Sequence, residues 1–250
     1  MIIFITGATS GFGKAIAQKF ASEKHDCIIT GRRADKLQDL YKELTETYGI
    51  KVLPLVFDVQ DRDSVFSTIE KLPEDWKEID ALVNNAGLAL GREPFDEASL
   101  DDWETMIDTN VKGLLYVSKA ILPFFVKKNK GHIINLGSTA AKEVYQNGNI
   151  YCATKSAVEA ISHAQRIDLL PHKIKVTAIH PGAADTEFSN VRFKGNSEKA
   201  AAVYEGYQPL QANDIANVVY YCATLPPHVC INDLVVTCLA QANSFYTYKG

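Results

Sequence analysis

Ile2-Ile3-Phe4-Ile5-Thr6-Gly7-Ala8-Thr9-Ser10-Gly11-Phe12-Gly13 holds the turn on which the reading of the whole chain depends. A run of apolar strand formers ends in a glycine-rich loop. Residues 13–23 follow, with Ile16, Ala17 and Phe20 spaced for one face of a helix. A strand, a glycine loop and a helix N-terminus in that order make an anion site. Glycine lets a pyrophosphate approach the backbone, and the free N–H groups and dipole of the helix point toward it. The spacing is GxxxGxG rather than GxGxxG, so its position after the first strand carries the inference. Gly7, Thr9, Ser10, Gly11, Phe12 and Gly13 are therefore the first candidate nucleotide contacts.

The pattern continues outward from this turn. Short apolar runs at 27–30, 52–57, 81–84, 132–136, 174–180 and 234–238 read as strands. Between them, 34–48, 64–72, a long region over 99–128, 150–170, 198–206 and 213–223 read as helices. Ser99 and Asp102 suit a capping box, Pro123 is expected to kink or interrupt its helix, and Pro171 to stop the next. Residues 185–195 show no period, and the tail to 250 fits no element. Strands alternating with helices predict an α/β fold: a single doubly wound parallel sheet of about seven strands, Rossmann-type, with helices on both faces. No linker or repeat divides residues 1–250, so one nucleotide-binding domain is expected, with a substrate loop over about 185–210.

Composition narrows the function. Of the 250 residues, 46% are hydrophobic and 22% charged, enough for a large core without a disulfide or metal staple. A net charge of −4 argues against a nucleic-acid partner. No apolar run approaches the roughly 18 residues that would span a membrane, and the apolar start lacks the basic residues of a signal peptide. Five scattered cysteines without a ligand spacing predict free thiols in a reducing cytoplasm and no metal site.

Two further stretches carry chemistry. After the second strand an acid bonds the ribose 2′-hydroxyl of NAD, whereas arginine accommodates the 2′-phosphate of NADP. This chain has Gly31-Arg32-Arg33 there, which predicts NADP(H). In Tyr151-Cys152-Ala153-Thr154-Lys155, a phenol and an ammonium lie four residues apart and share a helix face. A free phenol titrates near 10, too high for proton transfer at neutral pH, and a nearby cation lowers it. Ser138, in the loop after the fifth strand, is placed to bond a substrate oxygen. Asn110 interrupts a helix where asparagine is a mediocre former.

Taken together, Thr6 to Gly13, Asn84-Asn85-Ala86-Gly87, Asn110, Ser138, Tyr151 with Lys155, and Pro181-Gly182 resemble the short-chain dehydrogenase/reductase family over essentially the whole chain. The resemblance implies that Tyr151 is the general acid/base and that Lys155 lowers its pKa and holds the nicotinamide ribose. It implies that Ser138 orients the substrate and that Asn110 keeps a water-linked proton relay to Lys155. It also implies cofactor contacts at Asp58 and Val59, at Asn84, Asn85, Ala86 and Gly87, and at Pro181, Gly182 and Thr186.

Residues 87–91, 102–110 and 186–195 resemble the NADP-dependent 3-hydroxy acid dehydrogenase branch, whose members are often tetramers. That implies a small 3-hydroxy acid such as serine, allo-threonine or 3-hydroxypropionate as substrate, and a homo-tetramer. Arg192 is the candidate for binding its carboxylate, in a segment expected to close over the site. Two alternatives stand beside this reading: a ketoreductase for neutral carbonyls, sugars or acyl carriers, and a non-catalytic NADP-binding sensor.

Overall fold

Residues 2–5 are apolar without alternation, which suits a strand covered on both faces; Ile3, Phe4 and Ile5 are completely buried. In the computed structural model, which describes residues 1–249, they form β1 (Ile2–Ile5) at the centre of a parallel sheet. The chain continues through α1 (Gly11–Ser22), β2 (Asp26–Gly31), α2 (Ala34–Tyr48), β3 (Val52–Val56), α3 (Arg62–Glu70) and β4 (Ala81–Asn84). Then come α4 (Leu100–Ile107), α5 (Leu114–Lys128), β5 (Gly131–Leu136), α6 (Asn149–Leu169) and β6 (Ile174–Pro181). The last part holds β7 (Ala184–Asp185), α7 (Glu187–Arg192), α8 (Ser197–Ala202), β8 (Leu210–Gln211), α9 (Ala212–Thr224) and β9 (Asp233–Val236).

The main sheet has seven strands in the order β3-β2-β1-β4-β5-β6-β9, with all neighbours parallel. This is the doubly wound fold expected from the sequence. The order reverses between β1 and β4, so a crevice opens at their carboxyl ends, where such sheets bind ligands. Alternate residues of β1 feed two cores. Ile3 and Ile5 pack with Ile16 and Phe20 of α1, Leu40 of α2 and Val219 of α9. Phe4 packs on the other face with Val65 and Ile69 of α3 and Ile121 and Phe125 of α5. Each such side chain, fully buried, contributes about 1.5–3 kcal/mol, and together they hold the strand ends in register beneath the site. Among the described residues no helix is long and apolar enough to cross a membrane.

Four local expectations change. The helical region over 99–128 is not one helix: a π-helical turn, Asp108–Gly113, separates α4 from α5. Pro123 does not end α5, which runs on to Lys128. Ser99 caps α4 by accepting from Asp102 N. Residues 185–195, which lack a period, contain α7, because the Thr186 hydroxyl accepts from Phe188 N at 3.2 Å and starts a short helix. The helix expected over 198–206 ends at Ala202, in α8.

Candidate active site

The loop after β1 is shaped by main-chain contacts. Gly7 and Gly11 have φ of +65° and +51°, conformations that side chains oppose. A Cβ on Gly13 would lie 2.3 Å from Gly7 O, so only glycine lets α1 approach the loop. The buried Thr6 hydroxyl accepts from Asn85 N and Ala86 N at 3.0 and 2.9 Å. The Asn85 amide donates back to Thr6 O and Gly7 O at 2.8 and 3.1 Å. The carboxyl ends of β1 and β4 are thereby tied together at the switch point.

These loops border a cavity of about 700 Å³ that runs from Arg32 and Arg33 at one end to Tyr151 and Arg192 at the other. Every candidate site residue from the sequence lines it except Gly13, Asn84 and Asn110. Gly13 packs behind the glycine loop. Asn84 turns into the sheet, donating to Ser118 Oγ and Asn135 Oδ1, both at 2.9 Å. Arg33 donates to the Thr9 and Ser10 hydroxyls at 2.9 Å each and pairs with Glu187 at 3.0 Å. Arg32 pairs with Asp58 at 3.3 Å. A glycine cradle, two arginines at the N-terminus of α2 and no acid at the end of β2 fit a dinucleotide carrying a 2′-phosphate.

Helix α6 places Tyr151 and Lys155 in the cavity wall, both buried, with Lys155 Nζ 6.0 Å from the centre of the phenol ring. Lys155 donates to Leu136 O at 2.9 Å. Burial pushes its pKa down to about 8. Burial pushes the Tyr151 phenol above its ordinary value, with the Tyr145 hydroxyl adding to the rise, while the Ser138 hydroxyl and the Arg192 guanidinium act in the opposite direction. Lowering the phenol into the neutral range therefore requires positive charge beyond what these residues supply. Ser138 Oγ accepts from Ala140 N at 3.1 Å, which leaves its own proton free to donate.

Asn110 lies in the π turn, a feature that often marks functional sites. Its Oδ1 accepts from Leu88 N and its Nδ2 donates to Leu88 O, both at 2.8 Å, and Nδ2 also reaches Thr154 Oγ1 at 3.1 Å. It thus joins the loop after β4 to the residue before Lys155. A Cβ on Gly87 would meet both Asn110 Oδ1 and Lys155 Nζ, at 3.2 and 3.4 Å.

The segment after β6 lies over the chemical centre. Arg192, at the end of α7, donates to Tyr145 Oη at 2.9 Å and to Gly91 O at 3.2 Å, and its guanidinium is 5.5 Å from the centre of the Tyr151 ring. The structure also brings in residues the sequence reading missed. Arg92, in the loop after β4, faces the Tyr145 ring at 5.8 Å. The tail folds back, with Ser244 donating through its backbone N to Glu143 and Gln241 accepting from Ala183 N, so that Ser244, Phe245 and Lys249 line the cavity. Beneath Ser138, the fully buried His180 has Nδ1 3.1 Å from Ser138 O and Nε2 3.2 Å from Asp233 Oδ1. The second approach is close but not aligned as a hydrogen bond. Nothing in the sequence pattern marked Arg92 or His180.

Among the described residues, one cluster has metal-ligand geometry: Glu159, His180 and Asp233. The Lys142 ammonium already bridges Glu159 and Asp233 there.

Comparison with known proteins extends this picture. The sequence model for short chain dehydrogenases matches residues 1–197. An NADP-dependent 3-hydroxy acid dehydrogenase of Salmonella typhi is 49% identical over 97% of this chain and 96% of its own. Sulfoacetaldehyde reductase 2 of Chromohalobacter salexigens is 44% identical over 98% of this chain and 97% of its own. The closed form of a serine dehydrogenase complexed with NADP⁺ superposes with a TM-score of 0.94 and 46% identity, covering 99% of each chain.

Proposed function

The chain belongs to the short-chain dehydrogenase family, and from that premise we propose that it is an NADP-dependent oxidoreductase interconverting the 3-hydroxyl and 3-oxo forms of a small 3-hydroxy acid. The observation that carries the substrate class is Arg192, a cation held over the Tyr151 ring at 5.5 Å. A guanidinium there suits a carboxylate on the same molecule as the reacting hydroxyl.

Arg32 and Arg33 would hold the 2′-phosphate, the Gly7–Gly13 loop the pyrophosphate, and Lys155 the ribose next to the nicotinamide. The cofactor, when bound, supplies the hydride acceptor and a positive ring beside the phenol. The protein's part is proton transfer and positioning. Tyr151 as phenolate takes the proton of the substrate hydroxyl, or gives it back in reduction. Lys155 stabilises the phenolate. Ser138 donates its free proton to the substrate oxygen as charge shifts. Asn110 holds the Leu88 loop against α6 and so fixes the position of Lys155.

Five free cysteines suit a reducing cytoplasm, to which we assign the enzyme. The exposed apolar residues Ile107, Leu115 and Val126 along α4 and α5 suit contact between copies in a homo-tetramer.

The test is NADP⁺ reduction with 3-hydroxypropionate, L-allo-threonine and 1-propanol. The hydroxy acids are expected to be oxidised at least tenfold more efficiently than the neutral alcohol. Arg192→Ala should raise KM for the acids by roughly tenfold, the loss of a charged hydrogen bond of about 1.5–3 kcal/mol, and leave the alcohol nearly unchanged. Equal losses on acid and alcohol would refute the carboxylate role.

A further inference from the structure

Asn110 can hold the Leu88 loop against α6 only if its amide faces that way, and its helix alone does not ensure this. It sits in the π turn Asp108–Gly113. The π form is rare and occurs mostly as single turns inside α-helices, so such a turn depends on its neighbours. Tightening it to α geometry would change the helical phase across the turn by one residue, about 100° around the axis. The Asn110 amide would then leave Leu88 and Thr154. The register of the turn is therefore a condition on the placement of Lys155.

Two sets of contacts hold the turn. One runs through Asn110 itself, to Leu88 N and O at 2.8 Å and to Thr154 Oγ1 at 3.1 Å. Thr154 Oγ1 in turn donates to Tyr151 O at 2.8 Å, which ties this set to the main chain of the catalytic residue. The other set comes from the loop after β3, residues 57–60. Phe57, Asp58 and Val59 line the nucleotide end of the cavity, and Gln60 lies outside the lining. Val59 packs so closely that a Cβ on Gly113 would lie 2.8 Å from its Cγ2. Gln60 Nε2 donates to the buried Thr109 Oγ1 at 2.8 Å. The base of that side chain is fixed as well, because Gln60 N donates to Asp58 Oδ1 at 3.0 Å and Asp58 pairs with Arg32 at 3.3 Å.

The two contacts of this loop differ in kind. The Val59 contact is apolar and non-directional, so it resists approach but not rotation. The Gln60 bond is directional. It grips Thr109, the residue immediately before Asn110, and so opposes the rotation that would carry Asn110 away. We propose that Gln60 is a positioning residue for proton transfer: by holding Thr109 it keeps the π turn in register, which places Asn110 and, through it, Lys155. The loop bordering the nucleotide end thereby supports the catalytic helix. This role rests on the reading of Tyr151 and Lys155 as the proton-transfer pair given above. It goes further in giving a residue outside the cavity a share in kcat.

Two measurements test it. The first is amide hydrogen exchange in the enzyme alone. Leu88 N donates to Asn110 Oδ1, so its protection reads the position of Asn110 without turnover. In Gln60→Leu the exchange of Leu88 is expected to speed up about tenfold, with the amides of the central strands unchanged. The second is steady-state oxidation of 3-hydroxypropionate. In Gln60→Leu kcat should fall roughly tenfold, since misplacing a catalytic group by about 1 Å can cost 10²-fold. KM and the NADPH dissociation constant should stay within about twofold, as for a loss confined to the transition state. Thr109→Val breaks the same bond from its other end and should give the same loss in kcat. The double variant should lose no more than the larger single loss. Gln60→Glu, whose carboxylate can accept from the Thr109 hydroxyl, should recover most of kcat. Unchanged kcat or unchanged Leu88 exchange in Gln60→Leu, or additive losses in the double variant, would overturn the role. So would a loss of NADPH affinity equal to the loss of kcat, which would place Gln60 in nucleotide binding. If the unmutated enzyme oxidised no hydroxy acid, the functional reading would fail, and Leu88 exchange in Gln60→Leu would still decide whether Gln60 holds Asn110.

Discussion

The two ends of the cavity are built by different means. At the nucleotide end the positions of atoms follow from the backbone: Ala8 N bonds Thr30 O at 2.9 Å, the glycines take left-handed φ, and Gly13 abuts Gly7 O. At the substrate end the geometry comes from side chains delivered by separate segments: Arg192 from α7, Tyr145 from the loop before α6, Arg92 from the loop after β4, and Phe245 from the tail. A backbone-defined site tolerates change in most of its side chains as long as its glycines remain. A site assembled from side chains can change its ligand by one substitution. The nucleotide end therefore sets the class of chemistry, and the substrate end sets which molecule undergoes it.

The largest expected effect sharpens this division. Tyr151→Phe removes the one hydroxyl that transfers the substrate proton and nothing that holds the nucleotide. kcat should fall by roughly 10²- to 10⁴-fold, while the NADPH dissociation constant stays within about twofold. Measuring both on the same preparation separates the two ends directly. A comparable loss of NADPH affinity would mean that they are one cooperative unit.

The nucleotide end has its own point of weakness, because cofactor choice there rests on side chains. NADP is expected to be preferred over NAD by at least tenfold in kcat/KM, or about 1.4 kcal/mol. In Arg32→Asp a carboxylate would repel the 2′-phosphate and accept from a 2′-hydroxyl, so the preference should fall or reverse. Arg33 is the poorer target, because its guanidinium also ties Thr9, Ser10 and Glu187 together. An unchanged preference in Arg32→Asp would move phosphate recognition to Arg33 and the Ser10 hydroxyl.

The same division explains what could be read from the sequence. The sheet, its switch point and the Gly7–Gly13 loop were legible because strand and helix periods and glycine spacing are local signals. Tyr151 with Lys155, and Ser138, were legible because their spacing is fixed by one helix and one strand end. The π turn at Asp108–Gly113 left only a faint sign, an asparagine within a helical pattern. Helix α7 was hidden because six residues give too short a period, and its start depends on a single threonine cap. The tail was unplaceable because what orders it is tertiary: Ser244 on Glu143, Gln241 on Ala183. Arg92 stands in a loop with no pattern, and its relevance comes only from the ring it meets.

His180 is the least legible of all, since it reads as one more residue of a buried strand, and it carries the smallest expected effect. It touches neither end of the cavity directly. Its Nδ1 lies 3.1 Å from Ser138 O and 3.4 Å from Ser138 N, so it fixes the backbone from which the catalytic hydroxyl projects. A Cβ on Gly137 would lie 2.4 Å from the imidazole, so the loop rests on the ring with no room to slide. On its far side stand Asp233 of β9 and Lys142, with Glu159 of α6 beyond, and burial together with the Lys142 cation pushes its pKa down. A neutral imidazole wedged between Ser138 and Asp233 is a positioning residue. His180→Phe keeps the bulk and loses the polar contact, worth about 0.5–1.5 kcal/mol. That corresponds to a fall in kcat of roughly three- to tenfold, with KM for the hydroxy acid and NADPH affinity nearly unchanged. His180→Gln, which restores a group able to bond Ser138, should recover most of the loss. If NADPH affinity and thermal stability fall together in both variants, His180 serves the fold rather than Ser138. If kcat is unmoved in His180→Phe, the ring acts only as bulk beneath Gly137, and the position of Ser138 is fixed by its own backbone, as the nucleotide end is.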